Sequence, residues 1–488
     1  VSDFTLYKSN MPASFGGRLA SFFDIRTKQG NMKKFAARGG ISTFSAYAAI
    51  EAPIKKDRSS FILSGRLTYS DWILRLMEDP QLRNSDAGFG DISAAFTQKL
   101  GDQSRIRAFA YLSRDRFQLG TTNAYKYGNT GASVDLSHRF NQRTSANLAL
   151  VYSRYQFENW EKEKPSTGYQ HGYVVNHFEL KSDFKWLSLG RHMVSYGASG
   201  IYYHLDRGTI DPYGDYSIRK SLDLGTENGI ELAVYAGDEI NLSDRLTAYA
   251  GLRISTFMSM GPSEVRTYSP GLPPLDENVI DTITYGKGEI SRTYFGLEPR
   301  LNLRYLLGNT NSVKLSYNRG YQYLYMLSNT IALAPTDQWH LCNYHIKPQY
   351  LDQVSLGYYK DFPGRGVSTS MELYRKWGHN IVEYRDGGSF SNSPYVESET
   401  LQGDQDAYGI EVSLYRASAS SLLQRILQET EAGFAGSDAI AVGAAEMAVL
   451  DEEGVLAPLD SPSVGEILPS AVHSTWAGVY LNVFAASW

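Results

Sequence analysis

Long stretches of this chain alternate apolar and polar residues, and this pattern limits the fold more than any other feature. In residues 246–255, one side carries apolar residues from Leu246 to Ile254, and the opposite side carries Thr, Tyr, Gly, Arg and Ser. Residues 313–318 and 354–359 alternate in the same way. Because successive side chains of a β-strand point to opposite faces, the alternation predicts strands with one apolar and one polar face. No run approaches the roughly 18 apolar residues of a membrane-spanning helix, which excludes a helical membrane protein.

The connections between these stretches are of two kinds that alternate along the chain. Short polar turns are predicted at 101–104, 141–144, 242–245, 308–311 and 362–366. Long connections are predicted at 71–88, 115–130, 157–172, 205–228, 257–291, 320–350 and 377–406. A transmembrane β-barrel has this organisation, because one rim carries tight periplasmic turns and the other carries extracellular loops. We expect about 15 antiparallel strands between Phe35 and Arg416, and an odd number indicates an incomplete barrel.

The composition changes near Arg416. Residues 417–488 contain one basic residue, nine acidic residues and 14 alanines, and they hold one of the 35 tyrosines. Nothing in this tail alternates, and a helix is predicted at about 421–429. The preferred interpretation is that this acidic, Ala-rich tail is unassigned sequence from a frame-shifted reading. A genuine acidic C-terminal domain is the alternative.

Several motifs resemble those of the TonB-dependent outer-membrane receptors. Residues 16–19 (Gly-Gly-Arg-Leu) and 24–31 resemble the end of the family's plug domain, and 51–69 resembles the first barrel hairpin. Residues 297–300 (Leu-Glu-Pro-Arg) and 408–411 (Tyr-Gly-Ile-Glu) resemble later barrel strands. This version is similar to receptors that carry an additional N-terminal carboxypeptidase-regulatory-like domain, which we expect to be absent here. The resemblance stops at the tail.

The resemblance implies a 22-stranded barrel that encloses a plug. It divides the chain into the C-terminal end of the plug (1–33), a partial outer-membrane β-barrel (34–416) and the tail (417–488). We expect a fragment without the signal peptide, the TonB box and most of the plug. The implied function is energy-coupled uptake of a scarce ligand, namely a siderophore, vitamin, glycan or peptide. The implied partners are the TonB energy-coupling complex, outer-membrane lipid and a surface lipoprotein.

Charged residues on the polar faces are candidates for the contact between plug and barrel. The resemblance points to Arg18 and Glu298, and we add Asp24, Arg26 and Arg300. An unpaired buried charge is costly, so such residues need partners on the plug or in water. The alternative is a wetted barrel wall without specific pairing.

Aromatic residues in the long connections are candidates for ligand capture, because exposed rings can stack on a ligand. We name Trp160, Tyr323, Trp339 and Tyr344 as these candidates. Rings in the aromatic girdles at the membrane interface are the alternative. Residues 340–345 form a Cys/His cluster that we interpret as incidental, and we predict no metal site.

Two other functions stay open, a passive porin-type channel and a soluble all-β adhesin. The sequence contains no phosphate-binding loop, dinucleotide fingerprint or nucleophile elbow, so we predict neither an enzyme nor a cofactor. A basic stripe for nucleic acid is also missing. The predicted location is the bacterial outer membrane.

Overall fold

A computed structural model describes residues 3–8, 11–19, 21–188, 191–328, 337–362, 367–416 and 444–453, together with 427 and 456. Sixteen long strands are described, and they form an antiparallel barrel sheet: β3 (Ala36–Ile41), β4 (Ser45–Lys55), β5 (Ser59–Thr68), β6 (Asp86–Lys99), β7 (Ser104–Gln118), β8 (Ala124–Arg139), β9 (Thr144–Glu161), β10 (Tyr169–Leu187), β11 (His192–Asp206), β14 (Thr226–Asn241), β15 (Leu246–Met260), β18 (Ile290–Gly308), β19 (Asn311–Gln322), β22 (Gln349–Phe362), β23 (Val367–Tyr384) and β24 (Thr400–Arg416).

Shorter elements lie between or before these strands. The remaining strands are β1 (Asp3–Tyr7), β2 (Phe22–Arg26), β12 (Thr209–Pro212), β13 (Leu222–Asp223), β16 (Ser263–Tyr268), β17 (Val279–Tyr285), β20 (Leu324–Leu327) and β21 (Gln338–Leu341). The helices are α1 (Asp71–Leu74), α2 (Pro80–Arg83), α3 (Val396–Glu399) and α4 (Ala444–Glu452), with 3₁₀ turns at Pro165–Thr167 and Asp276–Asn278. In the described part of the chain, no helix has the length and apolarity needed to cross a membrane.

The long strands pair with their neighbours in chain order, which confirms the predicted all-β class. Residues 231–237 of β14 alternate strictly between buried and exposed positions. The exposed positions carry apolar residues such as Val234, whereas the buried ones include Glu231. This is the reverse of a soluble sandwich, because the apolar face is the exposed outer face and the polar face is turned inward.

The strands are longer than the sequence predicted, and one more long strand is described than the expected number of about fifteen. Strand β8 begins at Ala124, inside a segment predicted to be a loop. A turn also follows β10, where no turn was predicted, whereas the turn between β4 and β5 lies in segment 51–69, which resembled a barrel hairpin. The strands continue because polar and glycine residues of 124–131 still pair with β7 and β9.

The contacts of the chain divide it into two units. The first contains 1–306, 313–357 and 372–410, and the second contains 307–312, 358–371 and 411–488. The second unit thus includes the turn after β18, the end of β22, the start of β23, the end of β24 and helix α4. Apart from Leu427, the helix predicted at 421–429 falls outside the described residues.

Candidate functional site

Three neighbouring strands place a group of charged side chains on the inner face of the first unit. Arg253 of β15 pairs with Tyr235 of β14 on one side and with Glu298 of β18 on the other. Glu231, Arg253, Glu298 and Arg300 are each at most 3% exposed. We call these four residues the inner charge cluster.

The cluster contains two cations and two carboxylates at unequal distances. Arg300 Nη2 donates a hydrogen bond to Glu298 Oε2 at 3.0 Å. The guanidinium of Arg253 lies 3.6 Å from Glu231 Oε1 and 3.7 Å from Glu298 Oε1. Its Nε is buried and has no hydrogen-bond partner among the described residues. The charges therefore compensate each other, but only the pair of Arg300 and Glu298 has the geometry of a hydrogen-bonded ion pair.

Hydroxyl groups surround the carboxylates. Ser255 Oγ lies 2.9 Å from Glu298 Oε1, to which it donates, and 2.8 Å from the Tyr323 hydroxyl. The Tyr203 hydroxyl donates to Glu231 Oε2 at 3.1 Å. These contacts lower the cost of burying the carboxylates, because a buried charge needs hydrogen bonds as well as a counter-ion.

The N-terminal segment 11–19 lies against this wall. Arg300 Nη1 donates a hydrogen bond to the carbonyl oxygen of Pro12. The backbone N–H of Ala13 donates to the Tyr249 hydroxyl at 2.8 Å, and Ala13 is only 1% exposed. Lys181 Nζ donates to the carbonyl oxygen of the next residue, Ser14, at 2.9 Å. The barrel wall thus binds the backbone of this segment at three successive residues.

Two glycines allow the segment to approach the cluster closely. A Cβ atom at Gly16 would overlap the guanidinium of Arg253. Gly17 has a φ of 75°, which favours glycine, and a Cβ there would lie 3.3 Å from Glu231 Oε1. The Gly-Gly pair therefore brings bare backbone against the charged side chains, where a larger residue would displace the segment.

The structure brings together three of the five residues predicted for the contact between plug and barrel. Glu298 and Arg300 belong to the inner charge cluster, and Arg18 interacts electrostatically with Glu231. Asp24 and Arg26 lie elsewhere, on β2, where they form a pair with 3.8 Å between Arg26 Nε and Asp24 Oδ2. Arg26 acts electrostatically on Arg107 of β7 rather than on the cluster.

Two central residues of the cluster were not among the predicted contact residues. Arg253 lies on the polar face of its alternating stretch, so the alternation alone indicates which face of the strand it occupies. The sequence before Glu231 alternates less regularly between apolar and polar residues. Only the pairing of β11, β14 and β15 shows that Glu231 faces Arg253. Its position depends on register, which a single sequence does not determine.

The four predicted ligand-binding rings do not form one surface. Tyr323 is fully buried and stacks on Phe257 with 5.1 Å between ring centroids. Trp339 is half-buried on β21, and Tyr344 lies under the guanidinium of Arg292 at 5.5 Å. Trp160 is on the outer face of β9. Tyr323 is thus a packing residue of the inner face, because the β20–β21 hairpin folds inward against β11, β14 and β15.

The His and Cys residues of segment 340–345 have separate partners. His340 Nδ1 lies 2.9 Å from Glu227 Oε1, and His345 Nε2 lies 2.7 Å from the carbonyl oxygen of Arg266. Burial lowers the pKa of the His340 imidazole and raises the pKa of the Cys342 thiol. In the described part of the chain, no group of three or more His, Cys, Asp or Glu residues could hold a metal ion.

Comparison with known proteins connects this barrel to one family. The family model described as TonB dependent receptor-like, beta-barrel matches residues 68–444, which is more than half of the chain. The matched range begins at the end of β5 and continues past Arg416, where the sequence resemblance ended. A comparison with curated protein sequences gave no match.

Solved structures with this fold have low sequence identity to the chain. A double mutant of the Serratia marcescens hemophore receptor HasR, in complex with its hemophore HasA and heme, is 13% identical with a TM-score of 0.61, covering 85% of this chain and 67% of that one. The copper transporter OprC is 11% identical with a TM-score of 0.60, and the match covers 85% of this chain and 64% of that one. The ferric preacinetobactin receptor BauA of Acinetobacter baumannii is 14% identical with a TM-score of 0.56, and the match covers 84% of this chain and 64% of that one.

The chain spans about two thirds of the length of these receptors. At such low identity, the likeness concerns the fold. The match of the family model over most of the barrel, together with the antiparallel sheet, nonetheless gives a definite assignment. The chain belongs to the TonB-dependent receptor-like β-barrel family and is a protein of the bacterial outer membrane.

Proposed function

We propose that the protein is an energy-coupled outer-membrane receptor that takes up a scarce ligand. In this proposal, residues 1–33 are the end of the plug, 34–416 form part of the barrel, and 417–488 are an unassigned tail. The docking of segment 11–19 on the inner charge cluster is the observation that carries the proposal. A passive porin lacks a plug, so we would not expect it to bind an N-terminal segment on the inner face of its barrel. Transport by movement of the plug also requires no catalytic residue.

The energetics of the docked segment suit a contact that is stable at rest and can be pulled apart. Arg300, Tyr249 and Lys181 each hold one backbone group of the segment. A hydrogen bond contributes about 1 kcal/mol, and one that involves a charge about 1.5–3 kcal/mol. The three together contribute about 4–7 kcal/mol. The coupling partner, TonB, would need to supply work of this order to release the segment.

The solved neighbours suggest which ligands to try first. Those proteins are a hemophore receptor in complex with its hemophore and heme, a copper transporter and a ferric preacinetobactin receptor. A scarce metal or metal complex is therefore the leading ligand class for this chain, and vitamins, glycans and peptides are further candidates.

Electrical conductance in a planar lipid bilayer distinguishes a receptor from a porin. We expect the 488-residue protein to conduct weakly, and we expect deletion of residues 1–33 to increase the conductance several-fold. Deletion of 417–488 is the matched control and should leave the conductance unchanged. Equal, high conductance with and without residues 1–33 would support a passive channel instead.

A further inference from the structure

The outer face of strands β6–β9 changes from apolar to cationic along its length. Leu112, Val134 and Leu150 point outward and are between 44% and 58% exposed, as expected of the band that contacts lipid. Further along β9, the outward positions are Tyr152 and then Arg154. The end of the apolar band can therefore be located on these strands.

A row of aromatic rings marks this end. Tyr152 of β9 lies beside Phe178 of β10, with 4.7 Å between ring centroids, and Phe178 lies 6.4 Å from Tyr202 of β11. The Tyr152 hydroxyl donates to the Asn176 side chain at 3.2 Å. Aromatic girdles occupy the boundary between hydrocarbon and headgroups, so the next outward residues lie at headgroup depth.

Those next residues are four exposed cations on three adjacent strands. Arg154 of β9 follows Tyr152 on the same face and pairs with Thr130 of β8. One pair further out, Arg114 of β7 faces Gly128, and beyond it Arg116 faces Lys126. The long-loop ends of these strands thus present a compact basic patch just outside the ring of aromatic residues. We call Arg114, Arg116, Lys126 and Arg154 the outer basic patch.

Three glycines leave a groove inside this patch. Gly88 and Gly90 of β6 pair with Arg116 and Arg114, and Gly128 lies between Arg114 and Gln156. The resulting cavity has a volume of about 560 Å³ and is lined by Leu112 at its apolar end as well as by all four cations. The groove therefore connects the lipid-facing band with the basic patch.

Most of the positive charge in the groove is not neutralised by the protein. Arg116 pairs with Asp71 at 2.6 Å and Asp86 at 2.9 Å. Lys126 Nζ instead lies over the Trp160 ring at 4.6 Å, and Arg154 Nη2 donates weakly to Gln156 Oε1 at 3.4 Å. Among the described residues, Arg114, Lys126 and Arg154 take part in no ion pair. Two carboxylate residues, Asp115 and Glu158, also line the groove, and Gln156 Nε2 donates to Glu158 at 2.9 Å.

We infer that this groove binds an anionic membrane lipid of the outer leaflet, whose headgroup carries phosphate and no compensating cation. The phosphate would lie between Arg114, Lys126 and Arg154, because guanidinium and ammonium groups bind phosphate oxygens strongly. The acyl chains would follow the apolar band from Leu112 toward Val134. This site is separate from the inner charge cluster and does not depend on the transported ligand.

Native mass spectrometry of the detergent-purified protein tests the inference with dioctanoyl phosphatidylglycerol as the probe. The test variant combines Arg114→Gln, Lys126→Gln and Arg154→Gln. Each cation near a membrane surface strengthens binding of an anionic lipid about fivefold, so the triple variant should bind about a hundredfold more weakly. Unchanged lipid binding by the triple variant would overturn the inference.

The matched control changes three exposed cations near the opposite, short-turn rim of this sheet region to Gln, namely Lys99 of β6, Arg139 of β8 and Arg143 of the turn before β9. It should bind the lipid as the parent does, and an equal loss in the control would contradict a specific site. A second variant, Gly128→Leu, fills the groove and keeps every charge. The atoms nearest to the new Cβ lie 3.8 Å or more away, so the variant should fold. Because the leucine side chain fills the groove, the variant should no longer bind the lipid.

Two further probes identify the source of the phosphate. Dioctanoyl phosphatidylcholine has the same chains with a zwitterionic headgroup, and inorganic phosphate has no chains. We expect both to bind at least tenfold more weakly than phosphatidylglycerol. Equal binding of phosphatidylcholine would show that the cations are irrelevant, and equal binding of inorganic phosphate would show a free-anion site instead of a lipid site.

Discussion

Glu298→Gln is expected to destabilise the barrel strongly. The carboxylate of Glu298 is fully buried between the guanidinium groups of Arg253 and Arg300, at 3.7 and 3.0 Å. Neutralising it leaves two buried cations with Glu231 as the remaining anion of the cluster. Removal of one partner from a buried pair costs about 3–5 kcal/mol, so we expect a loss of that size in the free energy of unfolding.

The assay is urea unfolding of the protein in phospholipid vesicles, followed by tryptophan fluorescence. Glu158→Gln is the matched control, because Glu158 is a partly exposed carboxylate on the outer face of β9. Its loss should change the free energy of unfolding by less than about 1 kcal/mol. The double variant Glu298→Gln with Arg300→Gln should recover part of the lost stability, because it removes one cation and leaves Arg253 with Glu231 as its counter-ion. If Glu298→Gln costs no more than Glu158→Gln, the inner charge cluster is not the buried network described above.

Variants at three further positions test the neighbouring features. Gly16→Val should release segment 11–19, because the new side chain overlaps Arg253, and hydrogen exchange of the segment should become at least tenfold faster. Burial lowers the pKa of His340 below its ordinary value of 6.5, so the unfolded chain binds a proton at a higher pH than the folded chain does. The stability of the folded chain therefore falls as the pH drops through 6.5. His340→Gln should therefore reduce the stability lost between pH 7.5 and 5.5, a loss of at most about 1.4 kcal/mol in urea titrations. Tyr323→Phe should cost about 1 kcal/mol of unfolding free energy, and Tyr323→Ala about 3–5 kcal/mol.

Each of these variants has an outcome that would contradict the description. Gly403→Val is the control for Gly16→Val, since nothing lies within 4 Å of its Cβ, and equal exchange of segment 11–19 in both would mean that the segment is not docked there. An unchanged pH dependence in His340→Gln would show that this imidazole is accessible to water. A small cost for Tyr323→Ala would place that ring outside the inner packing.

The sequence predicted the kind of fold because the alternation of side chains survives in nearly every long strand. The apolar positions of 246–255 do lie on the exposed face of β15, and Arg253 and Ser255 lie on the buried one. Strand lengths were underestimated where the pattern includes glycine, as in β8, since Gly128 and Gly131 carry no side chain that shows a face. Their pairing with neighbouring strands comes from backbone hydrogen bonds, which composition does not reveal.

The site was only partly predictable for a related reason. Glu298 and Arg300 share a face by their spacing, so their proximity follows from the strand alone. The position of Glu231 against Arg253 depends on the register between β14 and β15. Tyr323 was assigned to an outward loop, and its inward position depends on how the β20–β21 hairpin packs against distant strands.

TonB-dependent accumulation is the most direct test of the proposed uptake function. Cells that produce the receptor from a gene that also supplies a signal peptide, a TonB box and a whole plug are given radiolabelled heme, ferric siderophore or copper, in the presence and absence of TonB. We expect one of these ligands to accumulate only when TonB is present, and we expect a protonophore to abolish the accumulation. Accumulation at the same rate without TonB would refute energy-coupled uptake and identify a passive channel.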